Sequence, residues 1–175
     1  MLTGMSGPLP FDPVMRASQS WTTHYPEAGE AVYSAMRAVT SIMRAQQILI
    51  AALDAAVRPF GLTFSRYEAL VLLTFSSTGA LPLSKIGERL QVHATSVTNV
   101  IDRLETSGFV RREPNPRDGR GTLAIITDSG RAVADAATRE LHRNRFGLAG
   151  LSIDDLDGLF ATLRRLRQDA GDFVD

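Results

Sequence analysis

The stretch Leu83-Ser-Lys-Ile-Gly-Glu-Arg-Leu-Gln-Val-His-Ala-Thr-Ser-Val-Thr-Asn-Val-Ile-Asp-Arg-Leu-Glu-Thr-Ser-Gly-Phe-Val-Arg-Arg112 decides the fold. Ile86 and Leu90 share one face of a two-turn helix, Lys85–Leu90, for which Ser84 offers a capping hydroxyl. Gln91-Val92-His93 is a tight link, and from Ala94 to Thr106 the residues Val97, Ile101 and Leu104 recur at i, i+4, i+7 with Val100 beside them, which makes a second amphipathic helix. Ser107-Gly108 supplies the glycine that a left-handed C-terminal cap prefers. Two β-prone runs follow, Phe109–Arg112 and Thr122–Ile126, separated by Glu113-Pro-Asn-Pro-Arg-Asp-Gly-Arg-Gly121, whose composition is that of a hairpin tip. A short helix, a turn, an amphipathic helix and a hairpin form a winged helix-turn-helix. The fold class expected is mainly α with a small β-hairpin wing: a winged lobe plus a helical dimerisation region.

Working outward, Thr63 caps an apolar helix from Phe64 to about Phe75, and Ser76-Ser-Thr-Gly79 with Pro82 reads as a break. Upstream, Val32, Met36, Val39, Met43, Ile50, Leu53 and Val57 give helical periodicity from Glu27 to Arg58, stopped by Pro59 and Gly61. A helix of about 30 residues spans some 45 Å, longer than the lobe's own core needs, so part of it is expected to face a second subunit. Residues 1–26 carry Pro8, Pro10, Pro13 and Pro26, a helix-breaking composition that suggests an arm docked by Phe11, Trp21 and Tyr25. Downstream come a helix from Asp128 to about Phe146 and a last one opened by a Ser152–Asp155 capping box and striped with Leu156, Leu159, Phe160, Leu163 and Leu166. The expected organisation is an arm (1–26), a dimerisation region (27–62 and 128–175) and the winged lobe (63–127).

The 175 residues include nineteen basic and nineteen acidic side chains, so any polyanion-binding surface must be local. Between Ser84 and Gly121 seven Lys or Arg face five Asp or Glu, which leaves the lobe at +2 and the remainder at −2. Opposite its apolar stripe the second helix presents Thr95, Ser96, Thr98, Asn99, Asp102 and Arg103. Asn suits adenine, and Thr offers a methyl to thymine. Arg112, Arg117 and Arg120 lie in or beside the tip, where an arginine can enter a narrow minor groove. Ser84 and Lys85 at the first helix and His93 at the cap of the second complete the candidate DNA-facing set. The absence of cysteine excludes disulfides, cysteine-ligated zinc and thiol chemistry. His24, His93 and His142 are too dispersed to form a ligand motif, no phosphate-binding glycine loop follows a strand, and nothing clusters for catalysis. No cofactor, no metal and no enzyme activity are therefore expected. No apolar run reaches the roughly 20 residues of a membrane span, and the N-terminus lacks a secretory signal, so a cytoplasmic protein with no membrane partner is expected. The rival to DNA binding is a winged helix used only as a protein-interaction or dimerisation module, which often lacks wing arginines.

The quoted stretch, continuing through Asn115-Pro-Arg-Asp-Gly-Arg120 to Thr127-Asp-Ser-Gly130, resembles the MarR family of bacterial regulators: an Asp-Arg-Leu-Glu run and Gly, a wing Asp-x-Arg and a closing Thr-x-x-Gly in family order. Phe60-Gly-Leu-Thr63 extends the likeness, which covers roughly Glu27 to Asp175. The resemblance implies a homodimer whose first and last helices interleave and whose two lobes read a pseudo-palindromic operator on double-stranded DNA. It implies repression of a nearby gene until a small molecule binds. Position by position, it gives Thr95, Ser96, Thr98 and Asn99 the groove-facing role, Arg103 a phosphate role, and Arg120 that of a wing arginine held by Asp118. Where many members carry arginines in the recognition helix this chain has Ala94 and Asn99, which points to an operator richer in A·T. An effector site would lie near Tyr67 and Arg44, roofed by Trp21; the competing reading is that Tyr67 and Trp21 simply pack.

Overall fold

The computed structural model describes residues 7–116 and 121–174. The chain divides into two compact units, residues 1–51 and 52–175, with the boundary inside one long helix.

In the first unit, α1 (Pro13–His24) overturns the expectation of a helix-breaking arm. Pro13 stands at the first helical position, where its missing N–H costs nothing and its fixed φ suits the helix, and the Asp12 carboxylate accepts from the Val14 N–H at 2.8 Å. Prolines thus flank the helix rather than interrupt it. A turn around Gly29 (φ +80°) leads into α2 (Glu30–Val57). The buried Tyr33 donates its hydroxyl to the Tyr25 carbonyl at 2.6 Å, and Arg37 reaches the buried Ser18 hydroxyl at 3.1 Å and Glu30 at 2.6 Å. Val32, Val39, Ile42, Met43, Ile48 and Ile50 remain exposed along α2.

The second unit begins with the last turns of α2, which bury Leu53 and Val57, and a 3-10 turn at Arg58–Phe60. Thr63 caps α3 (Phe64–Phe75) as its sequence indicates, and the Asp54 carboxylate accepts from the Phe64 N–H at 2.7 Å. There follow β1 (Ala80–Pro82), α4 (Leu83–Leu90), α5 (Ala94–Thr106), β2 (Val110–Pro114), β3 (Thr122–Ile126), α6 (Asp128–Arg143), a 3-10 turn at Arg145–Gly147 and α7 (Ile153–Asp169). The expected capping box of α7 is present, with Asp155 N–H to Ser152 Oγ and Ser152 N–H to Asp155 Oδ2 both at 3.1 Å. Two readings need correction. Residues 80–82 are a strand rather than part of a break, and α4 starts at Leu83 behind Pro82 with no side-chain cap, so Ser84 lies inside the first turn.

The sheet is antiparallel in the order β1-β3-β2, with Leu81 opposite Ala124 and Arg112 opposite Ala124 on the other side. Both proline-bearing strands are edges, where a missing donor breaks no ladder; β3 in the centre has none. Leu70, Leu73, Ile86, Ile101, Leu104, Val110 and Leu141 fill a core shared by α3–α6 and the sheet. The Thr127-x-x-Gly130 signature has a local cause. Thr127 Oγ1 accepts from the Gly130 N–H at 3.0 Å and donates to the Gly108 carbonyl at 2.8 Å, and a Cβ on Gly130 would overlap the Phe109 carbonyl oxygen. That close approach ties the start of α6 to the chain leaving α5. Among the described residues no single helix is long and apolar enough to cross a membrane.

Candidate nucleic-acid interface

Helix α5 is anchored by Val97, Ile101 and Leu104, all buried, so the opposite face is fixed outward. Thr95, Ser96, Thr98, Asn99, Asp102 and Arg103 are all exposed, as their spacing indicates. Thr98 donates its hydroxyl to the Ala94 carbonyl at 3.1 Å, which leaves its methyl and its oxygen lone pairs for a partner. Asn99, Asp102, Arg103 and Thr106 border one shallow depression, so the amide and the guanidinium project from adjoining positions. His93 is the N-cap: its Nδ1 accepts from the Thr95 N–H at 3.3 Å, with Thr95 Oγ1 at 3.2 Å. Gln91, in the left-handed region at φ +53°, turns the chain between the two helices.

A glycine missed by sequence reasoning sets how closely α4 approaches α5. A Cβ on Gly87 would stand 3.2 Å from both the Val92 carbonyl oxygen and Val97 Cγ2. The one available signal was a glycine inside a two-turn helix, which lowers helix stability and calls for a packing reason. Ser84 and Lys85 are exposed on the first turn of α4. Lys85 pairs with Glu88 at 2.6 Å, and its ammonium holds the Glu88 carboxyl below the ordinary carboxylate value.

Arg112 sits differently from the expectation. Instead of projecting from the wing, its guanidinium folds back on α5, where it pairs with Asp102, reaches Glu105 at 3.3 Å and donates to the Thr98 carbonyl at 3.3 Å. Its own backbone N–H donates to Glu105 Oε1 at 3.1 Å. Its side chain is only a quarter exposed, and its Nε is buried without a partner. Two carboxylates already neutralise it, so it braces β2 against the recognition helix rather than standing free for a phosphate. The neighbouring Arg111 pairs with Glu113. Arg117, Asp118 and Arg120 lie outside the described residues. The base of their loop is closed by the Asn115 N–H donating to the Gly121 carbonyl at 2.9 Å.

Of the residues expected at an effector site, Tyr67 lines a cavity of about 590 Å³ between α3 and α6, whose lining lies wholly between Phe64 and Phe146. The Tyr67 hydroxyl meets Thr138 Oγ1 at 3.0 Å. Because Thr138 itself donates to the Ala134 carbonyl at 2.8 Å, Tyr67 is the donor in that pair. Trp21 and Arg44 belong to the first unit, where the Trp21 ring packs on Tyr25 at 5.2 Å and Arg44 donates to Gln47 at 3.2 Å. Among the described residues no three His, Cys, Asp or Glu side chains group as a metal site.

Comparison with known proteins places this geometry. Residues 64–122, which include α3, α4, α5 and the first wing strand, match the MarR family. The crystal structure of Sco5413, a MarR family transcriptional regulator from Streptomyces coelicolor, is 60% identical, with a TM-score of 0.76 over 81% of this chain and 99% of that one. YkoM of Bacillus subtilis, described as an uncharacterized HTH-type transcriptional regulator, is 38% identical over 104 residues, 58% of this chain and 67% of YkoM. Sco3205 of Streptomyces coelicolor, a MarR family regulator crystallised in complex with DNA, shares the fold at 24% identity, with a TM-score of 0.69 over 83% of this chain and 92% of that one. With 99% of Sco5413 covered at that identity, and with the winged lobe built as described, the chain belongs to the MarR family of transcriptional regulators.

Proposed function

We propose that this regulator works as a homodimer on double-stranded DNA, with α5 in the major groove of each half-site and the wing tip on the adjacent minor groove. The observation that carries the reading is the division of α5 into a buried face (Val97, Ile101, Leu104) and an exposed face made of short polar groups, Asn99 and Arg103. A helix presenting such groups can reach base edges, and a protein-interaction helix would gain little from them. The fold shared with Sco3205, a regulator crystallised with DNA, supports the same docking. In this reading Thr95, Ser96, Thr98 and Asn99 face the groove, and Ser84, Lys85, His93 and Arg103 contact the backbone. Arg120, held by Asp118, enters the minor groove, and Arg117 adds charge to the tip.

Dimerisation through residues 27–62 and 128–175 is supported by apolar side chains left uncovered on each element: Val39, Met43 and Ile50 on α2, and Ile153, Phe160 and Leu166 on α7. Repression relieved by a small ligand, action in the cytoplasm and the lack of a catalytic role complete the proposal.

An anisotropy titration of labelled operator duplex at several salt concentrations tests it. The parent should bind with a steep fall of log K against log salt. Arg120→Ala should reduce that slope by roughly 0.9 for each lost phosphate neutralisation, about twice that for two wings, while the chain stays folded. Lysine should rescue only partly, since it keeps the charge and loses the flat fork. Equal affinities and equal slopes for parent and Arg120→Ala would refute the wing's part in binding.

A further inference from the structure

The cavity beside Tyr67 carries two solvent-exposed charged groups of opposite sign on its lining, Glu68 and Arg131. Among the described residues, neither the Glu68 carboxylate nor the Arg131 guanidinium has a hydrogen-bond or ion-pair partner, and both belong to the cavity lining. The other carboxylate there, Asp135, is paired with Arg139, and His142 packs beside the Phe146 ring with centroids 6.0 Å apart. Glu68 and Arg131 both keep contact with solvent at the cavity mouth, and partial desolvation there holds the Glu68 carboxyl above its ordinary value.

The helices that carry these groups run antiparallel. Tyr67, near the start of α3, meets Thr138 in the second half of α6, whereas Arg131, in the first turn of α6, lies against Gly79 beyond the end of α3. Gly79 adopts φ +68°, and a Cβ there would collide with the guanidinium, so the glycine both makes the turn and seats Arg131. Glu68 adjoins Tyr67, and seven residues of helix separate Thr138 from Arg131, so the two charges stand about 10 Å apart along the trough. Val71, Leu72, Leu90 and Ala134 make an apolar floor, with the exposed Phe75 at its edge. The volume, about 590 Å³, falls in the range of roughly 300–1,000 Å³ usual for small-molecule sites.

We infer that this cavity takes a bipolar small molecule: an apolar, preferably aromatic, middle with a cationic group at Glu68 and an anionic group about 10 Å away at Arg131. The inference rests on the proposed ligand response and gives it a chemical class. A singly charged aromatic would cover one of the two charges with hydrocarbon and leave it unpaired, which disfavours binding. A neutral one would leave both so.

The test is a calorimetric titration of the full-length chain with three probes of one scaffold. These are biphenyl with an aminomethyl group at one para end and a carboxylate at the other, biphenyl with the aminomethyl group alone, and biphenyl with the carboxylate alone. The bipolar probe should bind at least tenfold more tightly than either parent compound. In Glu68→Gln its affinity should fall to that of the carboxylate probe, and in Arg131→Gln to that of the amine probe. The ranking in the unaltered chain decides the matter even if a variant folds poorly. A singly charged probe binding as tightly as the bipolar one, no heat from any probe, or a ranking unchanged in both variants would each overturn the inference. Operator binding by the unaltered chain without any probe is measured alongside. If it is present and the ranking fails, only the ligand class falls; if it is absent, the regulator reading fails whatever the ranking shows.

Discussion

Replacing Arg112 with Met separates a brace from a DNA contact. The side chain loses its ion pair with Asp102, its 3.3 Å contact to Glu105 and its 3.3 Å hydrogen bond to the Thr98 carbonyl, and keeps most of its stem. Both carboxylates are substantially exposed, at 49% and 40%, so each pair is worth no more than the 0.2–1 kcal/mol typical of surface ion pairs, and the hydrogen bond adds roughly 0.5–1.5 kcal/mol. Removing the buried, unpartnered Nε returns part of this, so the net loss should be about 1 kcal/mol. Urea unfolding should show that loss as a lower midpoint with an unchanged slope. Operator affinity should fall because the wing is less firmly set on α5. Its dependence on salt should stay parallel to that of the parent, because no phosphate neutralisation has been removed. Unchanged stability together with a salt slope lower by roughly 0.9 per site would refute the brace and return Arg112 to the DNA surface.

Two further substitutions probe the supports of the interface and the cavity. Gly130→Ala, which drives a Cβ into the Phe109 carbonyl, should cost about 1–3 kcal/mol by thermal unfolding, as overpacking does where backbone must shift. A neutral result would mean that the Thr-x-x-Gly turn yields easily. For Glu68 the folded carboxyl titrates above its ordinary value of 4.5, so its protonated form is the one that favours folding. That contribution is fully present below pH 4.5 and is lost as pH rises through the raised value. Glu68→Gln should therefore melt higher than the parent at neutral pH, with the gap closing in acid. A gap that instead widened in acid would contradict burial as the cause.

What the sequence disclosed depended on how local each determinant was. The periodic Val97, Ile101 and Leu104 placed α5 and its outward face, and the caps at Thr63, His93 and Ser152 were legible because a cap involves residues two or three positions apart. Strand β1 was hidden because three residues with a proline carry no period; it exists through pairing with β3, more than forty residues away. Helix α1 was hidden by prolines that count against a helix by composition and in its favour by position, Pro13 at the start being the instance. Arg112 resembled its neighbours in the wing, and only the fold shows Asp102, Glu105 and Thr98 converging on it. Tyr67, which lines the cavity, was named from the family resemblance as a candidate. Its companions Glu68 and Arg131 were not, because the cavity is assembled from antiparallel helices more than fifty residues apart.

The most direct test of base reading by α5 is a binding-site selection from random duplexes with the parent, Asn99→Ala and Arg103→Ala chains. The parent should enrich a pseudo-palindrome whose half-sites lie about one helical turn apart. Asn99→Ala should lose preference at one symmetric pair of positions, as expected for a bidentate contact worth about 1–3 kcal/mol of discrimination. Arg103→Ala should weaken binding evenly and keep the parent's pattern, because phosphate contacts position and base contacts specify. No enriched sequence for the parent, or the same pattern from Asn99→Ala as from the parent, would contradict the account.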